Sequence, residues 1–203
     1  MATVTSLNRY ARRKEKTRQE LLTAAKHVLA EKGYHSTKVA DIALAADIGV
    51  GTFYLYYPTK EALFLELVEE TARLLKEEID RARVAITDAS EKIRVANLTF
   101  FRFARDNREL FKIVFGHGNT FNELLRRVYG LFVDDAAERV TEGIGAEAFR
   151  PVHTTVAANA IVGMSAQVVS WWIEQDALSA EDIAEAMTTI MLYGIATQQP
   201  PQG

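Results

Sequence analysis

The feature that most constrains the fold is a helical repeat of apolar residues that runs through nearly all of the 203-residue chain. From residue 14 onward, apolar side chains recur at the spacing that places them on one face of a helix. No segment shows the strict apolar–polar alternation of a half-buried strand. The sequence therefore predicts an all-α protein with about nine helices.

Start and stop signals divide the repeat into separate helices. Gly33 is expected to end the first helix, Thr37 to cap a short second helix, and Thr59 to cap a long fourth one. The region before residue 14 is expected to form a basic, frayed arm. The expected helices cover residues 14–32, a short stretch after Thr37, 50–54, 60–83, 90–106, 108–115, 120–142, 151–174 and 179–197.

Charge is distributed unevenly along the chain. Residues 1–60 contain ten Lys/Arg and five Asp/Glu, whereas residues 61–203 contain fourteen and twenty-two. A basic N-terminal part on an acidic body favours a local contact with a polyanion, although a solvated basic tail is an alternative. We expect a DNA-binding domain over residues 1–65 and a larger helical domain over residues 66–203.

Several classes of protein are disfavoured by composition and motif content. The chain has no cysteine, no apolar leader and no apolar run long enough for a membrane span, so a cytoplasmic protein is expected. Its four histidines are scattered, and neither a nucleophile elbow nor a glycine-rich phosphate loop occurs. We therefore expect no enzyme activity, no metal and no cofactor.

The stretch "ADIGVGTFYLYYPTKEAL", residues 46–63, combines a turn with a very short helix. Two short helices joined by a tight turn are typical of a helix-turn-helix, whose second helix enters the major groove of DNA. Gly49 and Gly51 allow close approach to DNA, while Tyr54, Tyr56 and Lys60 offer groups for phosphates. The alternative is that the aromatic residues are core.

The segment "GYHSTKVADIALAADIGVGTFYLYYPTKEALFLEL" resembles the DNA-binding domain of the TetR family of bacterial transcriptional repressors. That family's pattern is roughly G-Y-x-x-T-T-V-x-D-I-A-x-x-A-G-V-S-x-G-T-x-Y-x-Y-F-x-S-K-E-x-L. The resemblance implies a homodimeric repressor whose C-terminal domain binds a small molecule and then releases DNA. The residues expected to contact DNA are Thr37, Lys38, Gly49, Val50, Gly51, Thr52, Tyr54, Tyr56 and Lys60.

Several positions near the expected DNA contact differ from what is usual in the family. Lys38 replaces a threonine, Asp47 replaces the turn glycine, Gly49 replaces a serine, and Val50 stands where a basic or polar residue is frequent. Asp tolerates left-handed backbone geometry, and a valine methyl can contact a thymine methyl. The departures therefore affect which operator is bound more than whether DNA is bound.

Six phenylalanines lie within the 22 residues from Phe100 to Phe121. They are either plain core or the lining of a ligand cavity, which is usually apolar with a few polar groups. The predicted lining is Phe100, Phe103, Phe111, Phe115, Phe121, Asn159, Met164, Gln167 and Trp171. Arg102 and Arg105 are either partners of an anionic ligand or surface ion-pair residues. We expect a hydrophobic effector, such as a fatty acid, an acyl-CoA or an aromatic compound.

The last two helices are apolar over a wide arc, so each must be covered on more than one side. Packing across a two-fold axis would provide that cover, although a buried hairpin in a monomer is the alternative. The predicted dimer residues are Val162, Val169, Trp172, Met187 and Met191. An architectural DNA-binding protein without a ligand, or an activator of the same fold, remains an alternative function.

Overall fold

The computed structural model describes residues 2–116, 122–175 and 177–193. Over these residues the chain is all-α, as predicted, with nine helices and no strand. The helices are α1 Ala2–Ser36, α2 Val39–Ala45, α3 Val50–Tyr54, α4 Lys60–Arg83, α5 Ala89–Asp106, α6 Arg108–Gly116, α7 Asn122–Gly145, α8 Thr154–Trp172 and α9 Ala180–Tyr193. No helix of this described part is long and apolar enough to cross a membrane.

The chain divides into two compact units, Met1–Thr71 and Ala72–Gly203. The division lies inside α4, slightly beyond the boundary expected after residue 65. The first unit contains α1, α2, α3 and the start of α4, with α2 in contact with both α1 and α3. In the second unit α5 packs along α9, α7 packs along α8, and α6 contacts α5 and α8.

The prediction of a frayed N-terminal arm was wrong, because α1 begins at Ala2. The region from residue 2 to residue 32 has neither glycine nor proline, and its arginines and lysines are good helix formers. Gly33 leaves helical geometry, with φ 73° and ψ 164°, so the main axis of α1 stops where the sequence predicts. A side chain is strained in that conformation, which is why glycine occupies the position.

The core of the first unit is formed by the apolar stripe of α1 and by residues of the next three helices. Leu21, Ile42, Phe53, Leu63 and Phe64 are all fully buried. A five-residue helix such as α3 has no stability by itself and depends on this packing. The buried ring of Phe53 therefore fixes α3 to the rest of the unit.

In the second unit one apolar cluster joins α4, α5, α6, α8 and α9. Its large members include Phe101, which is fully buried, and Trp172, whose rings lie edge to face with centroids 5.7 Å apart. The indole Nε1 of Trp172 donates a hydrogen bond to the Leu178 carbonyl at 2.9 Å. This bond links the end of α8 to the residues just before α9.

Candidate nucleic-acid interface

The turn between α2 and α3 has the geometry that the sequence predicts. Asp47 adopts a positive φ of 54°, and the amide of Ile48 donates to the carbonyl of Ala43 at 3.0 Å. Asp tolerates this left-handed conformation better than most residues. Gly49, in extended conformation, is then the N-cap residue of α3, with no side chain to donate or accept.

The start of α2 differs from the prediction in its capping residue. The N-cap is Lys38 rather than Thr37, and the Asp41 carboxylate accepts the Lys38 backbone N–H at 2.8 Å. Asp41 also accepts the Lys32 ammonium at 2.8 Å, and these two bonds lower the pKa of its carboxyl. A carboxylate near the N-terminus of α2 also suits the helix dipole.

Thr37 is 2% exposed, and its hydroxyl donates to the Gly33 carbonyl at 2.7 Å. A buried hydroxyl with a partner cannot reach a phosphate, so the prediction of a DNA contact by this side chain was wrong. Its role is local, because it satisfies the carbonyl at the residue where α1 leaves helical geometry.

Lys60 has a role that the sequence analysis did not anticipate. Its ammonium donates to the carbonyls of Tyr34 and Thr37, at 2.6 and 2.8 Å, and lies 4.3 Å from the centroid of the Tyr34 ring. The Tyr34 hydroxyl donates in turn to Glu61 at 3.0 Å. Since two of the three ammonium donors are engaged, Lys60 fixes the connection between α1 and α2.

The aromatic residues of the 46–63 stretch separate into buried and exposed sets. Phe53 is fully buried and Tyr57 is 3% exposed, with ring centroids 5.9 Å apart. Burial raises the pKa of Tyr57 to about 12, and its hydroxyl has no hydrogen-bond partner among the described residues. Tyr54 is 54% exposed and Tyr56 is partly exposed. The core alternative is therefore right for two of these four rings and wrong for Tyr54.

The start of α3 presents a small and apolar surface. Val50 is 41% exposed, and Gly51 is exposed with no protein atom within 4 Å of the position of an added Cβ. Glycine is among the poorest helix formers, so the fold of this unit gives no reason for it at this position. The exposed members of the predicted DNA set are Lys38, Gly49, Val50, Gly51 and Tyr54, and the partly exposed members are Thr52, Tyr56 and Lys60.

Two exposed apolar residues beside this surface were missed. Leu44, near the end of α2, is 81% exposed, and Leu55, just after α3, is 78% exposed. The signal in the sequence was periodicity, because neither residue shares a helical face with the buried Ile42 and Phe53. Leu44 and Leu55 therefore belong to the exposed surface of this unit.

The predicted ligand-binding residues are partly brought together. Phe100, Phe103, Phe111 and Phe115 belong to or pack against the cluster of the second unit, as does Met164. The rings of Phe111 and Phe115 are stacked, with centroids 5.8 Å apart. Phe121 lies outside the described residues. The phenylalanines of α5 and α6 therefore share one apolar environment.

Three other predicted pocket residues lie on the outside of α8. Asn159 and Gln167 are exposed, Trp171 is 51% exposed, and the Asn159 amide donates to the carbonyl of Thr155 on its own helix. These three side chains lie outside the apolar cluster, because adjacent helical residues point about 100° apart. Trp172 packs in the cluster, whereas Trp171 does not.

Three of the predicted dimer residues lie inside their own unit. Val169, Trp172 and Met187 are buried in its apolar cluster. Val162 and Met191 are partly exposed. The exposed face of α8 is formed instead by Val156, Ala160, Gly163, Gln167 and Trp171, and that of α9 includes Ala186, Ile190 and Tyr193.

Polar groups in the second unit are paired within it. Asn97, 7% exposed, donates to the hydroxyl of the buried Thr188 at 3.0 Å. Arg102 donates to Glu181 at 2.8 Å, with both side chains about half exposed, and Arg105 lies 3.9 Å from the same carboxylate. These contacts favour the surface ion-pair alternative for both arginines.

Comparison with known protein families decides the identity of both parts of the chain. Residues 21–67 match the model described as bacterial regulatory proteins of the tetR family, and residues 86–195 match that of a tetracyclin repressor-like C-terminal domain. The second match alone covers more than half of the chain. The chain belongs to the TetR family. It is therefore a transcriptional regulator of the helix-turn-helix type, as the resemblance implied.

A bacterial relative of helix-turn-helix type agrees with this assignment. An uncharacterised helix-turn-helix regulator from Haemophilus influenzae is 31% identical over 133 residues, which cover 63% of this chain and 65% of that protein. The match thus spans less than two thirds of that relative.

Solved structures share the fold at lower identity. The fatty acid degradation regulator FadR from Bacillus halodurans is 24% identical, with a TM-score of 0.80 over 88% of this chain and 95% of that chain. FadR from Bacillus subtilis, in complex with stearoyl-CoA, is 22% identical, with a TM-score of 0.79 over 88% of this chain and 99% of that chain. At these identities the comparison establishes the TetR fold.

Proposed function

We propose that this TetR-family regulator is a homodimeric repressor that releases a near-palindromic operator when a hydrophobic small molecule binds its second unit. The observation that carries the DNA-binding part is the exposed start of α3. Val50 is 41% exposed, and an added Cβ at Gly51 meets no atom within 4 Å apart from its chain neighbours and its own helix backbone. The missing side chain leaves room beside Val50 for another molecule, and major-groove DNA fits a helix at this place in the motif.

The homodimer places two such helices on one duplex. We assign the dimer contact to the exposed faces of α8 and α9, which carry Gly163, Trp171, Ile190 and Tyr193. Aromatic residues are enriched at protein interfaces, and a small residue such as Gly163 lets two helices approach closely. Two-fold symmetry then makes the operator a near-palindrome, and docking in successive major grooves sets its half-sites roughly 34–36 Å apart.

The ligand is proposed to enter the aromatic cluster of α5 and α6. Phe100, Phe103, Phe111 and Phe115 offer an apolar lining for an acyl chain. The fold shared with a regulator that holds stearoyl-CoA supports an acyl-CoA as the first compound to test. An aromatic effector is the second class that such a lining suits.

Transmission to DNA is assigned to α4 and α6. Arg108, the first residue of α6, donates to the carbonyls of Ile173 and Gln175 at the end of α8, so the start of α6 is fixed there. We propose that ligand moves the rest of α6 against α4. Because α4 is continuous from Lys60 to Arg83, a shift at its far end reaches the residues beside the recognition helix.

The test measures DNA binding and ligand binding in the same samples. Duplexes selected from a random library are labelled, and fluorescence anisotropy follows their binding to the full chain with and without stearoyl-CoA. We expect stearoyl-CoA to raise the melting temperature of the protein and to lower its affinity for the selected duplex. Binding of DNA that is unaffected by stearoyl-CoA, or by any compound that co-purifies with the protein, would contradict the inducible repressor and favour an architectural DNA-binding protein.

An activator of the same fold makes a different prediction in cells. A reporter gene placed behind the selected site is expected to be expressed more strongly when the regulator is deleted. Lower expression after deletion would identify an activator.

A further inference from the structure

The recognition segment, which we define as Val39 to Tyr57 with α2, the turn and α3, lacks the side chains with which proteins usually recognise purines. From Val39 to Tyr57 the chain has no lysine, arginine, histidine, asparagine, glutamine or serine. Guanine is most often read by arginine or lysine, and adenine by asparagine or glutamine, through paired hydrogen bonds in the major groove. This segment therefore has no side chain for either paired contact.

The exposed groups of the segment are mostly apolar. Val50 at the start of α3 is 41% exposed, and the γ-methyl of Thr52 lies on the same short helix, which is partly exposed there. Leu44 and Leu55 extend the apolar surface on either side. Thymine alone among the four bases carries a methyl group in the major groove, and apolar side chains contact it there.

Gly49 and Gly51 make this contact sterically possible. Each glycine flanks Val50, and an added Cβ would meet nothing within 4 Å at Gly51 and only the Thr52 hydroxyl, at 3.9 Å, at Gly49. With no side chain on either neighbour, positions 49 and 51 do not shield Val50, which is 41% exposed. When the backbone of α3 comes close to the base edges of DNA, a short side chain such as that of Val50 lies within van der Waals distance of a thymine methyl.

The polar groups near Val50 do not provide another way to distinguish the bases. Asp41 is held by Lys32 and by the Lys38 amide, so its oxygens are engaged. The hydroxyls of Thr52 and Tyr54 both donate and accept, and they discriminate poorly between bases. Asp47 is exposed in the turn, and its carboxylate could accept a hydrogen bond only from the amino group of cytosine or adenine.

We infer that this regulator recognises its operator chiefly through the C5-methyl groups of thymine, packed against Val50 in each half-site. The inference rests on the proposed function, since it specifies what the proposed DNA surface reads. It assigns the operator to sequences with at least one thymine per half-site at the position that faces the start of α3. It also makes Val50 the specificity-determining residue and the flanking glycines the residues that position it.

The test separates the methyl group from every other feature of thymine. Duplexes are first selected from a random library with the full chain, and each thymine of the selected site is then replaced in turn by deoxyuridine, which lacks only the methyl. We expect one position per half-site at which the replacement weakens binding roughly fourfold, as for the loss of one buried methyl group. The other replacements are expected to leave affinity unchanged.

Variants at position 50 provide the second arm. Val50→Ala removes both methyls, so it should weaken binding to the thymine duplex and abolish the difference between thymine and deoxyuridine at that position. Val50→Thr keeps one methyl and should retain part of the difference. Val84→Ala is the matched control, because Val84 is 84% exposed and lies in the other unit.

The outcomes distinguish failure of the inference from failure of the proposed function. If no sequence is enriched from the library, the proposed sequence-specific DNA binding fails. If a sequence is enriched but deoxyuridine binds as well as thymine everywhere, the methyl-reading inference is overturned. A third outcome would also overturn the inference. If the selected half-sites are centred on cytosine and Asp47→Asn loses affinity for them, base recognition belongs to Asp47 in the turn and not to Val50.

Discussion

Gly51 is a residue at which helix stability and the proposed DNA contact make opposite demands. It is helical and exposed, and an added Cβ has free space around it. We expect Gly51→Ala to stabilise the protein by about 1 kcal/mol, because alanine is the better helix former. The same methyl lies on the surface proposed to meet DNA, so affinity for the selected duplex should fall about tenfold or more, as for a loss of about 1.4 kcal/mol.

A second glycine supplies the control for this prediction. Gly130 in α7 is likewise helical and exposed, with no atom within 4 Å of an added Cβ. Gly130→Ala should raise the melting temperature by a similar amount and leave DNA binding unchanged. Equal DNA affinities for the two variants would remove Gly51 from the DNA surface.

Lys60 is expected to matter for stability more than for phosphate binding. Replacing it with methionine leaves the carbonyls of Tyr34 and Thr37 without their charged donor. Hydrogen bonds to charged groups contribute about 1.5–3 kcal/mol, so Lys60→Met should lower the free energy of unfolding by about 2 kcal/mol. Thermal unfolding followed by circular dichroism measures this loss.

Lys38→Met is the matched comparison, since the side chain of Lys38 is exposed. It should leave stability unchanged and weaken DNA binding in a salt-dependent way. If the Lys60→Met variant unfolds like the unaltered protein yet binds DNA weakly, the result would support a contact between Lys60 and a phosphate.

These residues also show what was predictable at this scale. The positive φ of Asp47 follows from local turn chemistry and was expected, whereas burial of Phe53 was one of two alternatives left open by the sequence. The role of Lys60 depends on carbonyls more than twenty residues away along the chain. No local pattern contains that information.

At the scale of helices, boundaries were predictable wherever a capping residue marks them. Thr59 accepts the Ala62 amide at 3.1 Å at the start of α4, and Ser179 and Asp182 cap the start of α9 reciprocally. The start of α1 has no such marker, and the residues before 14, predicted to be a basic frayed arm, are helical from Ala2. Lysine and arginine favour a helix when no glycine or proline interrupts it.

The faces of α8 and α9 were not predictable from periodicity. A helix that is apolar on most sides has no polar stripe to show which side is exposed. Trp171 and Trp172 are equally apolar in the sequence, yet one is 51% exposed and the other 5%. Only the packing of α8 against the other helices of its unit decides between them.

The exposed face of α8 gives a prediction about assembly. Gly163→Arg places a cation on that face, and a two-fold axis would bring two such cations together. An unpaired buried charge costs about 3–5 kcal/mol, so the dissociation constant of the dimer should rise by at least about a hundredfold. Analytical ultracentrifugation over a range of concentrations measures it.

Leu131→Arg is the control for Gly163→Arg, because Leu131 is also exposed but lies on α7. It should leave the dissociation constant unchanged. If Leu131→Arg produces monomers and Gly163→Arg does not, the dimer face is on α7.

At the scale of the whole chain, α4 is shared by both units and is tied to α7 by a charge network within the second unit. Asp135 on α7 lies 3.2 Å from Lys76 and 3.3 Å from Arg83, both on α4, and 3.5 Å from Arg139. Its side chain is 11% exposed. Three cations therefore share one nearly buried carboxylate, while Lys76 is also paired with Asp80 and Arg139 with Glu142.

This network makes stability depend on pH in a defined direction. Burial by itself would raise the pKa of Asp135, but the charge of Arg83, with Lys76 and Arg139, outweighs it and lowers the pKa of that carboxyl. The unfolded chain takes up this proton near pH 3.9, whereas the folded chain keeps the carboxylate to lower pH. The stabilisation is thus present above about pH 4 and is lost as pH falls through the folded-state pKa.

Asp135→Asn should remove this stabilisation at neutral pH. Because it leaves three cations without their shared anion, the free energy of unfolding should fall by about 3 kcal/mol. Urea unfolding at pH 7 and at a pH well below 4 should show a smaller difference between the two pH values for the variant than for the unaltered protein. Asp134→Asn, at the exposed neighbouring position, is expected to change neither quantity. If both variants lose stability equally, the tie between α4 and α7 lies elsewhere, and α4 would need another anchor to transmit a ligand signal toward Lys60.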